Sequence, residues 1–199
     1  MEPYISRHWK ALELLIHHAG EINLDYGIGN GRMSRIIASS LRGRQLHGYD
    51  GPEVDKHFSG DIFAEAQRLS QRTPHFTILN KEPEQGYYEA IILNCVLHGN
   101  EQLIERTRRY LQPFGTMIVL DHDKSHLSEE EFRERLTQAD QREVQARGFD
   151  AVFRDHRRMS LADCIYLGKQ IGLSTVAAYN HSSPEFAGHP FYLWVGKLE

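Results

Sequence analysis

The chain has 199 residues, a formal net charge of −4 and 40% hydrophobic residues. That length is most simply one domain, long enough to bury roughly 70% of the surface its unfolded form exposes, and the negative charge argues against broad nucleic-acid binding, which draws most of its attraction from a positive surface. No window approaches the roughly 20 apolar residues of a membrane span and no apolar run follows a basic patch at the N-terminus, so a soluble, cytoplasmic protein is expected. Cys95 and Cys164 sit in apolar surroundings without metal-ligand or redox spacing. They read as small buried residues in a reducing compartment.

Apolar residues Tyr4, Ile5, Trp9, Leu12, Leu15 and Ile16 recur at helical spacing, and Gly20 is placed to end the run. This predicts an entry helix over 3–19, packed on a sheet or over a ligand. Glu21 to Tyr26 is the first strand, Gly27-Ile28-Gly29-Asn30-Gly31 a loop, and Gly31 to about Leu41 a helix with Met33, Ile36, Ile37 and Leu41 inward. Glycines at alternate positions let the backbone turn through conformations closed to other residues and leave no side chain between loop and ligand. A dinucleotide fingerprint needs glycine or alanine where this chain has Arg32. Asp25, just before the loop, suits a cofactor carrying an ammonium better than one carrying a pyrophosphate, because like charges repel.

Strand two, Gln45 to Tyr49, ends at Asp50-Gly51-Pro52-Glu53. A helix from about Ser59 to Gln71 and a strand from His75 to Leu79 follow, then a loop from Glu82 to Tyr87. Strand four, Glu89 to Asn94, holds the continuous apolar run Ala90-Ile91-Ile92-Leu93, which implies helices over both faces and hence a parallel sheet. Glu101 to Leu111 is predicted helical, with Gln112-Pro113-Phe114-Gly115 as its stop and Thr116 to Leu120 as strand five. Ser128-Glu129-Glu130-Glu131 has the form of a capping box, and the charged segment to about Arg147, anchored chiefly by Phe132, Leu136 and Val144, reads as a solvated helical insertion at about 124–150, with a mobile lid over the site as the other reading. Ser160 opens another helix to about Ile171, and Leu173 to Tyr179 and Phe191 to Leu198 are the last two strands. Alternating strands and helices make this a doubly wound α/β pattern with a mostly parallel seven-stranded sheet.

In this order of motifs the chain resembles the class I S-adenosylmethionine-dependent methyltransferases over nearly its whole length. Their first motif, acid-x-Gly-x-Gly-x-Gly, is matched by Asp25-Tyr26-Gly27-Ile28-Gly29-Asn30-Gly31, and their acid at the end of strand two by Asp50. An apolar run ending in histidine after strand four is matched by Ile91 to His98. Leu-x-Pro-Gly-Gly before strand five is matched by Leu111-Gln112-Pro113-Phe114-Gly115, with Phe114 replacing a glycine and putting a turn geometry in question. The resemblance implies an antiparallel C-terminal strand and S-adenosylmethionine as cofactor. It assigns cofactor contacts to Asp25, Tyr26, Gly27, Gly29, Asn30, Gly31, Asp50, Gly51, Asn80, Asn94 and Cys95. Asp25 is expected to meet the ammonium directly or through water, Asp50 to accept both ribose hydroxyls, and Asn80 to lie near the adenine.

Ligands of open α/β sheets collect beyond the carboxyl ends of the strands, so Asn94 to His98 and Asp121-His122-Asp123 should border the reaction centre. His98 is the first candidate for a general base, because histidine titrates near neutral pH, and His122 or Asp123 the second. Successive residues on a strand end point in alternate directions, so no metal site is expected there. Asn94 is followed by Cys95-Val96-Leu97, not by the Pro-Pro-Tyr that the family uses for amide and adenine nitrogens, and no Pro-Cys nucleophile is present. With the acidic charge, this points to a small-molecule acceptor, with no membrane or nucleic-acid partner and a second copy of the chain as a candidate partner. Arg154 and Arg157, beside His156 and Arg158, form a basic loop that is a candidate anion binder, and Tyr4 and Trp9 are candidates to cover the substrate. Two other readings are a nicotinamide-dependent oxidoreductase, disfavoured by Arg32, and a non-catalytic cofactor-binding relative.

Overall fold

The apolar run of strand four lies at the middle of the molecule, where Ala90, Ile91, Ile92 and Leu93 are fully buried. The computed structural model describes residues 3–51, 60–97, 100–136, 138–181 and 191–199, with the main chain alone at 3–10, 60–61, 138–139 and 181. Among these residues, strands β1 (Ile22–Tyr26), β2 (Gln45–Tyr49), β3 (Phe76–Ile78), β4 (Tyr88–Asn94), β5 (Leu111–His122), β6 (Leu173–His181) and β7 (Phe191–Leu198) form one sheet. Their order is β3-β2-β1-β4-β5-β7-β6. The β1, β2, β3, β4 and β5 pairings are parallel, while β7 runs antiparallel between β5 and β6. The direction of winding reverses between β1 and β4, which opens a crevice at their carboxyl ends.

The helices are α1 (Pro3–His18), α2 (Arg32–Ser40), α3 (Gly60–Ser70), α4 (Leu103–Arg108), α5 (Glu129–Glu134), α6 (Gln138–Arg147), α7 (Phe149–His156) and α8 (Leu161–Gln170). Side chains alternate across a strand, so neighbours enter opposite cores. Ile91 and Leu93 pack with Leu103, Ile104, Cys164 and Trp194 on one face. Ala90 and Ile92 pack with Leu12, Leu15, Ile37 and Leu41 on the other. Covering both faces is what permits the continuous apolar run.

Two predicted boundaries change. Helix α4 stops at Arg108 and Leu111 already belongs to β5, so the expected stop at 112–115 is a bulge inside a strand. Pairing with β4 passes from Tyr88 opposite Leu111 to Ala90 opposite Thr116, and the intervening chain loops out. Phe114, where the sequence leaves a turn geometry in question, takes a left-handed φ of 64° and is 71% exposed. A left-handed non-glycine residue costs about 1–2 kcal/mol, a strain the flanking ladder holds in place.

The insertion is helical and Phe132, Leu136 and Val144 anchor it as the sequence indicates, but it carries a small core of its own. It is three short helices reaching His156, and Leu127, Phe132 and Val152 are buried together in a small core with Val144, Phe149 and Phe153 around it. Phe149, Val152 and Phe153 share one helical face, so the expected basic loop is the end of α7. Lys124, 3% exposed, donates to both carboxylate oxygens of Asp140 at 3.0 and 3.1 Å and lies 3.2 Å from His156 Nδ1. The insertion is thus anchored by a buried ion pair at the exit of β5. Ser128 forms the expected capping box with Glu131.

Candidate functional site

The loop between β1 and α2 uses its glycines for different reasons. Gly27 N–H donates to the carbonyl of Tyr49 at 2.7 Å, and Gly29 N–H to Asp50 Oδ1 at 3.2 Å, so the ends of β1 and β2 are tied across the loop. Gly31 opens α2 with φ 71°, and a Cβ there would lie 3.0 Å from the Cα of Ala66 on α3. Gly29, at φ 51°, has nothing among the described residues within 4 Å of where its Cβ would be. Helix packing therefore demands Gly31, whereas no described residue crowds Gly29. Asn30 Oδ1 accepts Arg32 N–H at 3.2 Å, and the Arg32 guanidinium turns to Glu65 at 2.9 Å.

Asp25 ends up 2% exposed, and its Oδ1 has no hydrogen-bond partner among the described residues. Burial pushes its carboxyl up to about 7, the Ser34 hydroxyl beside it pulls the other way without reaching good hydrogen-bond geometry, and the Asp50 carboxylate pushes it further up. Two carboxyl groups thus face one glycine loop. Two carboxyl groups so placed favour a positively charged ligand.

At the ends of β4 and β5, Asn94 and Cys95 are half-buried. Cys95 takes a φ of 56°, donates its N–H to Leu120 O at 2.8 Å and lies with Sγ 3.7 Å from Asn94 Oδ1. Leu97 N–H donates to Asp121 Oδ2 at 2.9 Å. His122 is half-buried, and Asp123, 8% exposed, accepts the Ser125 hydroxyl at 2.6 Å and N–H at 3.2 Å, with His126 Nδ1 at 3.8 Å.

The crevice therefore gathers Asp25, Gly27, Gly29, Asn30, Gly31 and Asp50 at the ends of β1 and β2, with Gly51 buried behind Asp50. Tyr26 does not offer its side chain, because the ring is fully buried against Tyr49 and Tyr110 at centroid distances of 5.4 and 6.1 Å. Asn80 is exposed beyond β3. His98 and the side chains of Tyr4 and Trp9 lie outside the described residues. Arg154, 67% exposed on α7, is 3.9 Å from Asp155, while Arg157 Nε reaches Ser125 O at 3.1 Å and joins α7 to the exit of β5. Sequence reasoning missed Ser34, Lys124 and the bridging role of Asp121, whose partners are distant in the chain. Among the described residues no group of three His, Cys, Asp or Glu side chains could hold a metal ion, and no helix is long and apolar enough to cross a membrane.

No family model matches the chain, and no curated protein matches it in sequence. Solved structures do match it. A SAM-dependent methyltransferase from Aquifex aeolicus, 9% identical, superposes with a TM-score of 0.67 over 100% of this chain and 94% of its own. The plantazolicin methyltransferase BpumL in complex with SAH is 15% identical, with a TM-score of 0.64 over 100% of this chain and 86% of that one. The N-methyltransferase NodS from Bradyrhizobium japonicum WM9 is 13% identical, with a TM-score of 0.62 over 99% of this chain and 98% of that one. At these identities the likeness is one of fold. This chain has the Rossmann-like α/β fold of methyltransferases, with the antiparallel C-terminal strand expected from its motifs.

Proposed function

We propose that the chain is an S-adenosylmethionine-dependent methyltransferase acting on a small-molecule acceptor. The observation that carries this reading is the buried Asp25 carboxyl, whose Oδ1 has no hydrogen-bond partner among the described residues, beside Asp50 at a glycine loop whose middle glycine has no described neighbour within 4 Å of where its Cβ would be. These residues fit the cofactor. A carboxyl pair suits its positive charge, and the bare backbone at Gly29 leaves room for its amino-acid part. Asp25 would hold the ammonium, Asp50 the ribose hydroxyls, and the main chain from Gly27 to Gly31, with Gly51, Asn94 and Cys95, would line the cofactor. The bound cofactor supplies a methyl group activated on a sulfonium sulfur, ready for direct displacement.

What this chain adds is alignment and charge. Orienting the two reactants is worth roughly 7–11 kcal/mol in well-arranged sites. For an acceptor that must lose a proton, His98 and His122 are the bases we favour, since Asp123 already accepts two hydrogen bonds from Ser125 and is better suited to orient its neighbours. Arg157, tethered to Ser125 O, is the better of the two arginines for an anionic group of the acceptor. The whole of 1–199 is read as one catalytic domain in the cytoplasm, with α1 and the three-helix insertion flanking the crevice and self-association into a homodimer compatible with it. The fold shared with a plantazolicin methyltransferase and an N-methyltransferase supports the small-molecule class. The formal charge of −4 argues against nucleic acid.

Calorimetric titration with S-adenosylmethionine and S-adenosylhomocysteine tests the reading, with a nicotinamide cofactor as control. Micromolar binding of both sulfur compounds is expected, weakened at least about tenfold, or about 1.4 kcal/mol, by Asp50→Ala. A folded protein that binds neither, or that binds the nicotinamide cofactor instead, would sink the proposal. Turnover with any acceptor would eliminate a non-catalytic role.

A further inference from the structure

Asp121 is a buried acid that the cofactor assignment leaves unused. It lies at the end of β5, 3% exposed, and its two carboxylate oxygens do different things. Oδ1 accepts the N–H of His122 at 2.7 Å, and Oδ2 crosses to the neighbouring strand exit and accepts the N–H of Leu97 at 2.9 Å.

The backbone explains why a side chain is needed here. The β4–β5 ladder runs in register to Asn94 opposite Leu120, and Cys95 N–H still reaches Leu120 O at 2.8 Å. Cys95 then takes a φ of 56°, and the chain turns out of the ladder. Leu97, fully buried, comes back with an N–H that the ladder no longer serves. A buried N–H without an acceptor is rare in folded proteins, and the Asp121 carboxylate supplies one. Two main-chain donors also favour the ionised form of an acid. Tyr192, opposite Asp121 in the β5–β7 ladder, has its phenol pushed upward by burial first and by the Asp121 carboxylate next.

We propose that Asp121 is a positioning residue for the cofactor: its carboxylate clamps the Asn94–Leu97 segment to the end of β5 and so holds Asn94 and Cys95 against the crevice. This rests on the methyltransferase reading. The segment leaves its strand through a left-handed residue that is not glycine, a conformation that persists only where surrounding contacts over-determine it. The clamp is that contact.

Asp121→Asn is the informative variant, because an amide offers one acceptor oxygen and turns its NH2 toward the second N–H. Amide exchange should speed up at least about tenfold at Leu97, with Ile118 to Leu120 unchanged. S-adenosylhomocysteine should bind at least about tenfold more weakly. Ser160→Ala, which loses a capping box on α8 away from the crevice, is the control for general destabilisation and should leave binding as it was. Leu97 exchange unchanged in a folded Asp121→Asn protein overturns the clamp, as does unchanged affinity or an equal loss of affinity in Ser160→Ala. If Asp121→Asn does not fold, the wild-type Leu97 amide decides: protection above that of Val96 is expected, and exchange as fast as Val96 overturns the clamp. A wild-type protein that fails to bind S-adenosylhomocysteine overturns the cofactor reading instead, and Leu97 exchange still tests the clamp by itself.

Discussion

Asp25 shows how one buried carboxyl couples stability to ligand binding. Its folded pKa, about 7, stands above the ordinary 3.8, so between about pH 4 and about pH 7 the folded chain keeps a proton that the unfolded chain has lost. Stability from this group is therefore present at low pH and is lost as pH rises through the folded value, a change on the order of 4 kcal/mol. Asp25→Asn mimics the protonated form. Urea denaturation should find the variant more stable than wild type by at least about 1 kcal/mol at about pH 8, with the difference shrinking as pH falls and vanishing only below about pH 4, while calorimetry should find cofactor binding at least about tenfold weaker at the higher pH. Wild-type affinity should in turn decline below about pH 7 by up to about one decade per pH unit, because a cation binds the ionised acid. The two glycines separate in the same way. Gly31→Ala forces a Cβ against Ala66 and should cost about 1–3 kcal/mol of stability, whereas Gly29→Ala should cost about 1 kcal/mol and lose more in cofactor binding, since it fills open space. Asp25, Asp50 and the glycines were legible in the sequence because a short loop between a strand and a helix brings near neighbours together. Arg157 and Asp121 were less so, because what each touches lies 32 and 24 residues away.

At the scale of elements, helix ends were the most readable features. Ser128 and Ser160 both cap as their spacing indicates, through bonds made within four residues. Ser160→Ala should cost about 1 kcal/mol in urea denaturation, the usual worth of an N-cap. Helix α8 then seats on β7 through a contact that no local pattern reveals. A Cβ on Gly168 would lie 2.3 Å from the Trp194 ring, so the indole lies directly against the helix backbone. Gly168→Ala should destabilise the fold by about 1–3 kcal/mol, because the buried indole cannot shift freely, despite the better helix propensity of alanine. The start of β5 defeated the sequence reading for a related reason. Proline and glycine at 113 and 115 signal a stop, yet Leu111 pairs with Tyr88 and the signal marks a bulge.

For the molecule as a whole, the sheet order and the anchoring of the insertion decide where chemistry can happen. The reversal between β1 and β4 brings the glycine loop and the Asn94–Leu97 segment to one crevice. The insertion adds a third, small core after β5, joined through Lys124, Asp140 and His156. Removing one member of a buried ion pair leaves an uncompensated charge, so Lys124→Met should cost about 3–5 kcal/mol, seen as faster amide exchange over α5 to α7 with the sheet core protected. The segment was expected to be solvated because its composition is charged, but burial of a charge is set by partners, and Asp140 and His156 reach Lys124 from 16 and 32 residues away. By itself the sequence determined the alternation of strands and helices, the capped helix starts, the glycine loop with its preceding acid, and the acid that ends β2, all of which follow from spacing within a few residues. Only the tertiary structure decided that Asp25 is buried beside Asp50 with its Oδ1 unpaired among the described residues, that Asp121 ties two strand exits together, that Tyr26 belongs to the core, and that a lysine can be buried in the insertion. Those outcomes depend on desolvation and on charges meeting across the sheet, and neither exists until the chain has folded.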